Sequence, residues 1–235
     1  MQQTSISVVA DLADKLRRDI SLGILQPGER LSIEALKRAH GVSHPSVREA
    51  LSLLLGEGYV FLEEQKGFRV LESSVDEQRD ISRVRAELEA VAIGWSIAHS
   101  TRGWRAQVVA THYALTEAEA LLEQDARKHV LEWDELNRGF HLALASNCQS
   151  PKLISLITMQ YDLSRRYRLM AHGESVSHNE RLTWLQASAD EHLKLREAAL
   201  TGDADTAQNL LRSHILKGVA QGVEPRHADE GVVAL

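Results

Sequence analysis

Cysteine is all but missing from this sequence. Cys148 stands alone among 235 residues, so no internal disulfide can form, and a reducing cytoplasm is the expected compartment. With no motif around it, Cys148 reads as a buried structural thiol. No stretch approaches the run of about 18 apolar residues that a membrane-spanning helix needs. The opening residues, Met-Gln-Gln-Thr-Ser-Ile-Ser, lack the basic and apolar regions of a secretory signal, so export is not expected. A basic surplus is missing as well. The net charge of −6 argues against a protein that coats nucleic acid. It leaves room for a site-specific reader, which needs only a local basic face. Proline is scarce and placed: Pro27, Pro151 and Pro225 fall at element boundaries, and Pro45 at a helix start. No short-period repeat or low-complexity tract is visible.

What is there is the composition of a globular protein, 43% hydrophobic and 26% charged, long enough for one large domain or two ordinary ones. Two blocks differ in pattern. In the first, Val8, Val9, Leu12, Leu16 and Ile20 recur at helical spacing over 8–22, and Gly23 and Pro27-Gly28 end that helix. Ser32 precedes a short helix from Ile33 to His40 that stops at Gly41. Ser43 is a candidate N-cap for the next helix, with Ser46 and Glu49 as a competing capping-box start. Val47, Ala50, Leu51 and Leu54 form its buried face, and Gly58 closes it. Residues 59–62 and 68–71 read as two short strands joined by a polar turn that contains Gly67.

From about Ser74 the strand signals vanish. Helical patterns cover roughly 76–99, 103–123, 126–146, 151–171, 178–200 and 204–221, with breaks at Gly103, at Asn147 to Pro151, at Gly173-Glu174 and at Gly202-Asp203. The expected fold is mainly α: an N-terminal winged helix-turn-helix over 1–73, an antiparallel helical bundle over 74–224, and a frayed tail over 225–235.

The helix-turn-helix segment suits DNA for physical reasons. Ser43, His44 and Ser46, at the exposed start of the third helix, can donate to phosphates or base edges, and Arg48 lies one turn further in. The helix N-terminus adds partial positive charge. Lys66 and Arg69 flank Gly67, which lets the wing backbone approach a duplex. In this light, residues 8–72 resemble the N-terminal domain of GntR-type bacterial transcription regulators. The resemblance rests on Pro27-Gly28-Glu29-Arg30-Leu31, Gly41-Val42-Ser43, Val47-Arg48-Glu49-Ala50-Leu51 and the wing from Gly58 to Val70. It implies DNA contact by Arg48 and Gly67. One departure stands out. The family pattern has Arg after Val-Ser and then Thr-Pro, whereas this chain reads His44-Pro45-Ser46. Histidine is a shorter donor that titrates near neutral pH, so DNA affinity is expected to depend on pH.

In the second block, Asn137 and His141 are four apart and share a helix face. His192 lies ten residues before Gly202 and His214 eleven after Asp203, so each is about 15–17 Å from one turn. In a hairpin, both imidazoles reach the same height. Three His and one oxygen ligand suit Zn²⁺, Ni²⁺ or Mn²⁺. Ordinary core or surface histidines are the alternative, and His99, His112, His129, His172, His178 and His227 read that way. Residues 77–221 also resemble the FCD ligand-binding domain of the FadR subfamily. The resemblance is carried by Arg85-Ala86-Glu87-Leu88-Glu89, Asn137-Arg138-Gly139-Phe140-His141, Glu191-His192 and Ala199 to His214. It implies a divalent metal on Asn137, His141, His192 and His214, with a small organic acid bound over it. Arg85 is the candidate partner for the acid's carboxylate, with an i,i+4 pair to Glu89 on a solvated face as the other reading. Arg165, Arg166 and Arg168 either line the pocket or form a charged face.

The expectation is a ligand-responsive regulator, a homodimer on palindromic operator DNA that an organic acid releases. A helical-bundle metalloenzyme is the second reading. It has the histidines, but no acid or base stands at an obvious spacing around them, and it leaves the winged domain unexplained. A ligand-independent DNA-binding protein is the third.

Overall fold

A computed structural model describes residues 2–21, 23–72, 74–170 and 177–220. The tail expected at 225–235 and the helix break at Gly173-Glu174 lie outside the described residues. The first block begins with α1 (Gln2–Ser21), β1 (Arg30–Leu31), α2 (Ile33–His40) and α3 (His44–Gly56), and ends with β2 (Val60–Glu63) and β3 (Gly67–Val70). α2 is capped by Ser32 and stops at Gly41, whose left-handed φ of 65° needs no Cβ to be accommodated. α3 starts behind Ser43, whose hydroxyl accepts from the Ser46 backbone N–H at 3.2 Å. Its buried stripe, Val47, Ala50, Leu51 and Leu54, packs with Leu12 and Leu16 of α1 and with Tyr59, Phe68 and Val70 of the wing. Each large aliphatic side chain buried there contributes about 1.5–3 kcal/mol.

The wing is a three-stranded antiparallel sheet in the order β1-β3-β2. Sequence patterning placed β2 and β3 to within a residue or so. It gave no sign of β1, because two residues carry no alternation. β1 is held by pairing Leu31 opposite Phe68 and Arg30 opposite Arg69.

The second block is helical among the described residues: α4 (Val75–Ala98), α5 (Arg102–Gln124), α6 (Ala126–Ala145), α7 (Pro151–Met170), α8 (His178–Thr201) and α9 (Ala204–Ala220). Ser74, Thr101 and Asp125 cap α4, α5 and α6, and Ser177 with Glu180 forms a capping box on α8. Gly202, at φ 83°, turns α8 directly into α9. α4 packs most extensively on α9, α5 on α6, and α7 on both α4 and α6. The main core gathers Ile93, Leu115, Phe140, Leu144, Leu195 and Leu211. Cys148 is buried in a second, smaller cluster, as its isolation implied. α1 meets α7, and Leu163 of α7 lies against Gly58 at the foot of the wing. No helix among the described residues is long and apolar enough to cross a membrane.

Candidate metal centre and nucleic-acid interface

The bundle brings His141 of α6, His192 of α8 and His214 of α9 together, with their candidate ligand atoms within 4.8 Å of one another. The α8–α9 turn at Gly202 does what the spacing implied: His192 Nε2 and His214 Nε2 stand 3.2 Å apart. Phe140, fully buried, packs its ring edge against His192 at 5.5 Å and helps fix that imidazole.

Each imidazole is oriented by a carboxylate at its other nitrogen. His141 Nδ1 lies 2.6 Å from Glu89 Oε2, His192 Nδ1 2.9 Å from Glu119 Oε1, and His214 Nδ1 2.8 Å from Glu191 Oε2. An ionised carboxylate only accepts, so Nδ1 carries the proton in all three rings and Nε2 presents a lone pair. Arg85 Nη2 also approaches His141 Nδ1, at 3.3 Å. The shorter, charge-assisted contact to Glu89 decides the tautomer. Two of the carboxylates, Glu89 and Glu191, are held ionised by their surroundings. Burial pushes Glu89 up, but Arg85 and His141 outweigh it and hold it at about 2. The His214 hydrogen bond, against burial and with help from Lys217, holds Glu191 at about 2. Burial lowers His141 to about 3 and His214 to about 4, against the pull of their carboxylates, so both rings are neutral at pH 7.

This arrangement fits a cation. Two lone pairs facing each other at 3.2 Å repel unless a positive centre lies between them. His141 Nε2 is buried and has no hydrogen-bond partner, and the same holds for Asn137 Oδ1. Leaving such atoms unpaired costs about 1–3 kcal/mol each. The Asn137 amide is set by Nδ2 donating to the Tyr161 hydroxyl at 2.8 Å, which leaves Oδ1 as the free acceptor. Imidazole nitrogens oriented by carboxylates, plus a carbonyl oxygen, are a donor set for a borderline divalent ion.

Beside the histidines lies a cavity of about 210 Å³, lined by Arg85, Asn137, His141, His214, Arg168 and Trp184 among others. The Arg85–Glu89 pair is real and four residues apart, but it is not on a solvated face. The two side chains are 6% and 1% exposed, and Arg85 fronts the cavity. Arg168 reaches the same cavity, Arg165 pairs with buried Asp134 at 2.7 Å, and the Arg166 side chain lies outside those described. What sequence reading missed is the role of the three carboxylates behind the imidazoles, and they correct the view that no acid or base stands at an obvious spacing around the histidines. A signal existed. Glu89 sits among Ala86, Ala90 and Ile93, and Glu119 among Leu115, Ala118 and Leu122, so each is a carboxylate inside an apolar helical stripe.

On the first block, Ser43, His44 and Arg48 are exposed at the start of α3 and Ser46 is half-buried. Ser43 is the cap of α3, so the competing start at Ser46 and Glu49 is not used, and the Ser46 hydroxyl lies 2.8 Å from that of Ser43. On the wing, Gln65 and Gly67 take left-handed φ values of 61° and 89°. Lys66, exposed, pairs with Glu63 at 2.6 Å. Arg69 is drawn back to Glu63 and to the Gly28 carbonyl, at 2.6 and 2.9 Å, and ties β3 to the turn before β1.

Comparison with known proteins matches this layout. Residues 9–70 match the model of bacterial regulatory proteins of the gntR family, and residues 80–217 match the FCD domain. The HTH-type transcriptional regulator BphR of Paraburkholderia xenovorans (strain LB400) is 35% identical over 91% of this chain and 84% of its own length. The HTH-type transcriptional repressor GlaR of Escherichia coli (strain K12) is 35% identical over 86% of this chain and 89% of its own. Among solved structures, E. coli McbR/YncC superposes with a TM-score of 0.68 at 23% identity, covering 91% of this chain and 95% of that one, and confirms the fold. The family and these relatives are transcription regulators, which sets the metalloenzyme reading aside. The chain belongs to the GntR family of bacterial regulatory proteins and is a DNA-binding transcription regulator whose winged helix-turn-helix is followed by an FCD domain.

Proposed function

We propose that this regulator is a metal-dependent repressor that a small organic acid releases from its operator. The observation that carries the reading is the convergence of three Nε2 lone pairs, each ring held by a carboxylate, beside a cavity that Arg85 fronts. Asn137, His141, His192 and His214 would hold Zn²⁺, Ni²⁺ or Mn²⁺, and the ion would supply a Lewis-acid anchor for a carboxylate. All four ligands are neutral, so the bound ion keeps its full charge and favours an anionic ligand. Arg85 takes the ligand's carboxylate from the side. Repression is favoured because a relative at 35% identity is named a repressor.

DNA is read by residues 1–73 and the effector is sensed by 74–224. Arg48 and His44 face the major groove, Ser43 and Ser46 offer hydroxyls to phosphates, and Lys66, Gly67 and Arg69 place the wing. A homodimer fits the apolar stripe Val84, Leu88, Val91 and Trp95 on α4, which follows a heptad-like spacing and leaves Val84 41% and Trp95 47% exposed. The test is a thermal-shift screen of small carboxylic acids on the purified protein, with and without a chelator, alongside metal analysis. Stabilisation by an acid that disappears on chelation supports the reading. A protein that carries no metal, takes none up and responds to no acid overturns it.

A further inference from the structure

The α7 wall of the cavity holds an arrangement that the metal does not explain. The ring of Tyr161, fully buried, lies against two guanidinium groups, Arg85 at 4.2 Å and Arg168 at 3.8 Å from its centroid. Both arginines also aim Nη1 at one neutral acceptor, Ser164 Oγ: Arg85 from 3.5 Å, and Arg168 in closer contact. That hydroxyl donates its own proton to the Tyr161 carbonyl at 2.8 Å, so only its lone pairs face the arginines. Two cations therefore converge on an uncharged oxygen at the edge of a cavity.

Their counter-charge is shared. Glu89 serves both Arg85 and His141. Asp134, fully buried, serves Arg168 through contacts of 3.0 and 2.9 Å and Arg165 at 2.7 Å. Three guanidinium groups thus face two carboxylates. We infer that Arg168 is a second effector-binding residue, closing with Arg85 on one oxyanion group of the ligand, which takes the place of the Ser164 lone pairs as their shared acceptor. The inference rests on the effector pocket proposed above and adds a residue and a geometry to it. Two guanidinium forks match the lone pairs of a carboxylate or a tetrahedral oxyanion. Asp134 is the internal competitor that holds Arg168 when no ligand is bound. Because Asp134 also has Arg165, turning Arg168 toward a ligand does not strand a bare buried carboxylate. Arg165 thereby tunes affinity from outside the cavity wall.

The experiment titrates full-length protein, metal-free and zinc-loaded, with sulfate and with succinate. Fluorescence of Trp133 and Trp184, which line the cavity, is the readout. Arg168→Gln should weaken binding of both anions about tenfold or more in both metal states. Arg168→Lys, which keeps the charge and loses the fork, should fall in between. Arg165→Gln should weaken binding several-fold, because Asp134 then depends on Arg168 alone. Circular dichroism checks each variant, and if Arg168→Gln does not fold, the other two carry the test. Wild-type affinities in Arg168→Gln, or in Arg168→Lys and Arg165→Gln together, overturn the inference. A wild-type protein that binds neither anion in either metal state overturns the clamp, and if no acid stabilises the protein in the thermal-shift screen either, the effector reading falls with it. Anion binding that ignores Arg168 but follows Arg85 and the metal sinks only the two-arginine clamp.

Discussion

Glu119→Gln tests the metal centre without touching a ligand. Glu119 lies on α5, 6% exposed, and its one contact with the centre is Oε1 to His192 Nδ1 at 2.9 Å. Glutamine keeps the shape and loses the charge. Turned one way, its amide carbonyl still accepts from Nδ1 but polarises the ring less. Turned the other, its NH₂ drives the proton to Nε2 and removes a ligand atom. Losing such a partner costs about 10–100-fold in metal affinity, or about 1.4–2.8 kcal/mol. An ion present at a hundred times its Kd stabilises the protein by about 2.7 kcal/mol, so the variant should lose half of that gain or more. For a protein of this size that is roughly 3–8 °C less metal-induced rise in Tm. Competition against a chromophoric chelator gives the affinity, and scanning calorimetry with and without metal gives the rise. An unchanged Kd and an unchanged rise in Tm would refute the argument that Glu119 sets the His192 tautomer for a cation.

Three further outcomes are expected. Arg48→Ala should weaken operator binding about tenfold and reduce the salt dependence by about one counterion, measured by fluorescence anisotropy across salt concentrations. Asp134→Ala leaves Arg165 and Arg168 without their carboxylate and should destabilise the bundle by about 3–5 kcal/mol in urea titrations. His112 is held neutral, its pKa lowered to about 4 by burial and by Arg196 and His192. A folded-state pKa below the unfolded value gives stability that is present above about pH 6.5 and is lost as pH falls toward 4, so Tm should drop across that window, and less steeply in His112→Gln.

The fold was legible wherever periodicity was long. Helices of twenty or so residues, with Ser, Thr or Asp ahead of them and Gly202 between the last two, announce themselves. So does the height match of His192 and His214, which follows from helical rise alone. β1 was not legible, because its two residues are held only by pairing with β3. The first helix begins at Gln2, six residues before its apolar stripe does. At the centre, the four proposed ligands could be read from spacing and resemblance. For Glu89 and Glu119 the sequence held only a hint, a carboxylate inside an apolar stripe, and did not say which imidazole each one meets. Glu119 and His192 are far apart in sequence and meet only because α5 packs on α8. The burial of Arg85 was equally hidden. An i,i+4 Arg–Glu pair looks the same in sequence on a wet face and in a dry one, and only the packing of α4 against α7 and α9 distinguishes them.

The distribution of the three histidines along the chain has a consequence for folding. With one cysteine, this protein cannot close its chain with an internal disulfide. An ion on His141, His192 and His214 would do that work, tying α6 to the α8–α9 hairpin and closing two consecutive loops of the unfolded chain, from His141 to His192 and from His192 to His214. A staple of this kind stabilises largely by restricting the unfolded ensemble, so its contribution grows only slowly with the length of chain enclosed. It differs from a disulfide in being set by free metal concentration instead of redox potential. α9 would then be pinned or loose according to metal supply, and amide exchange in that helix is where the difference would register first.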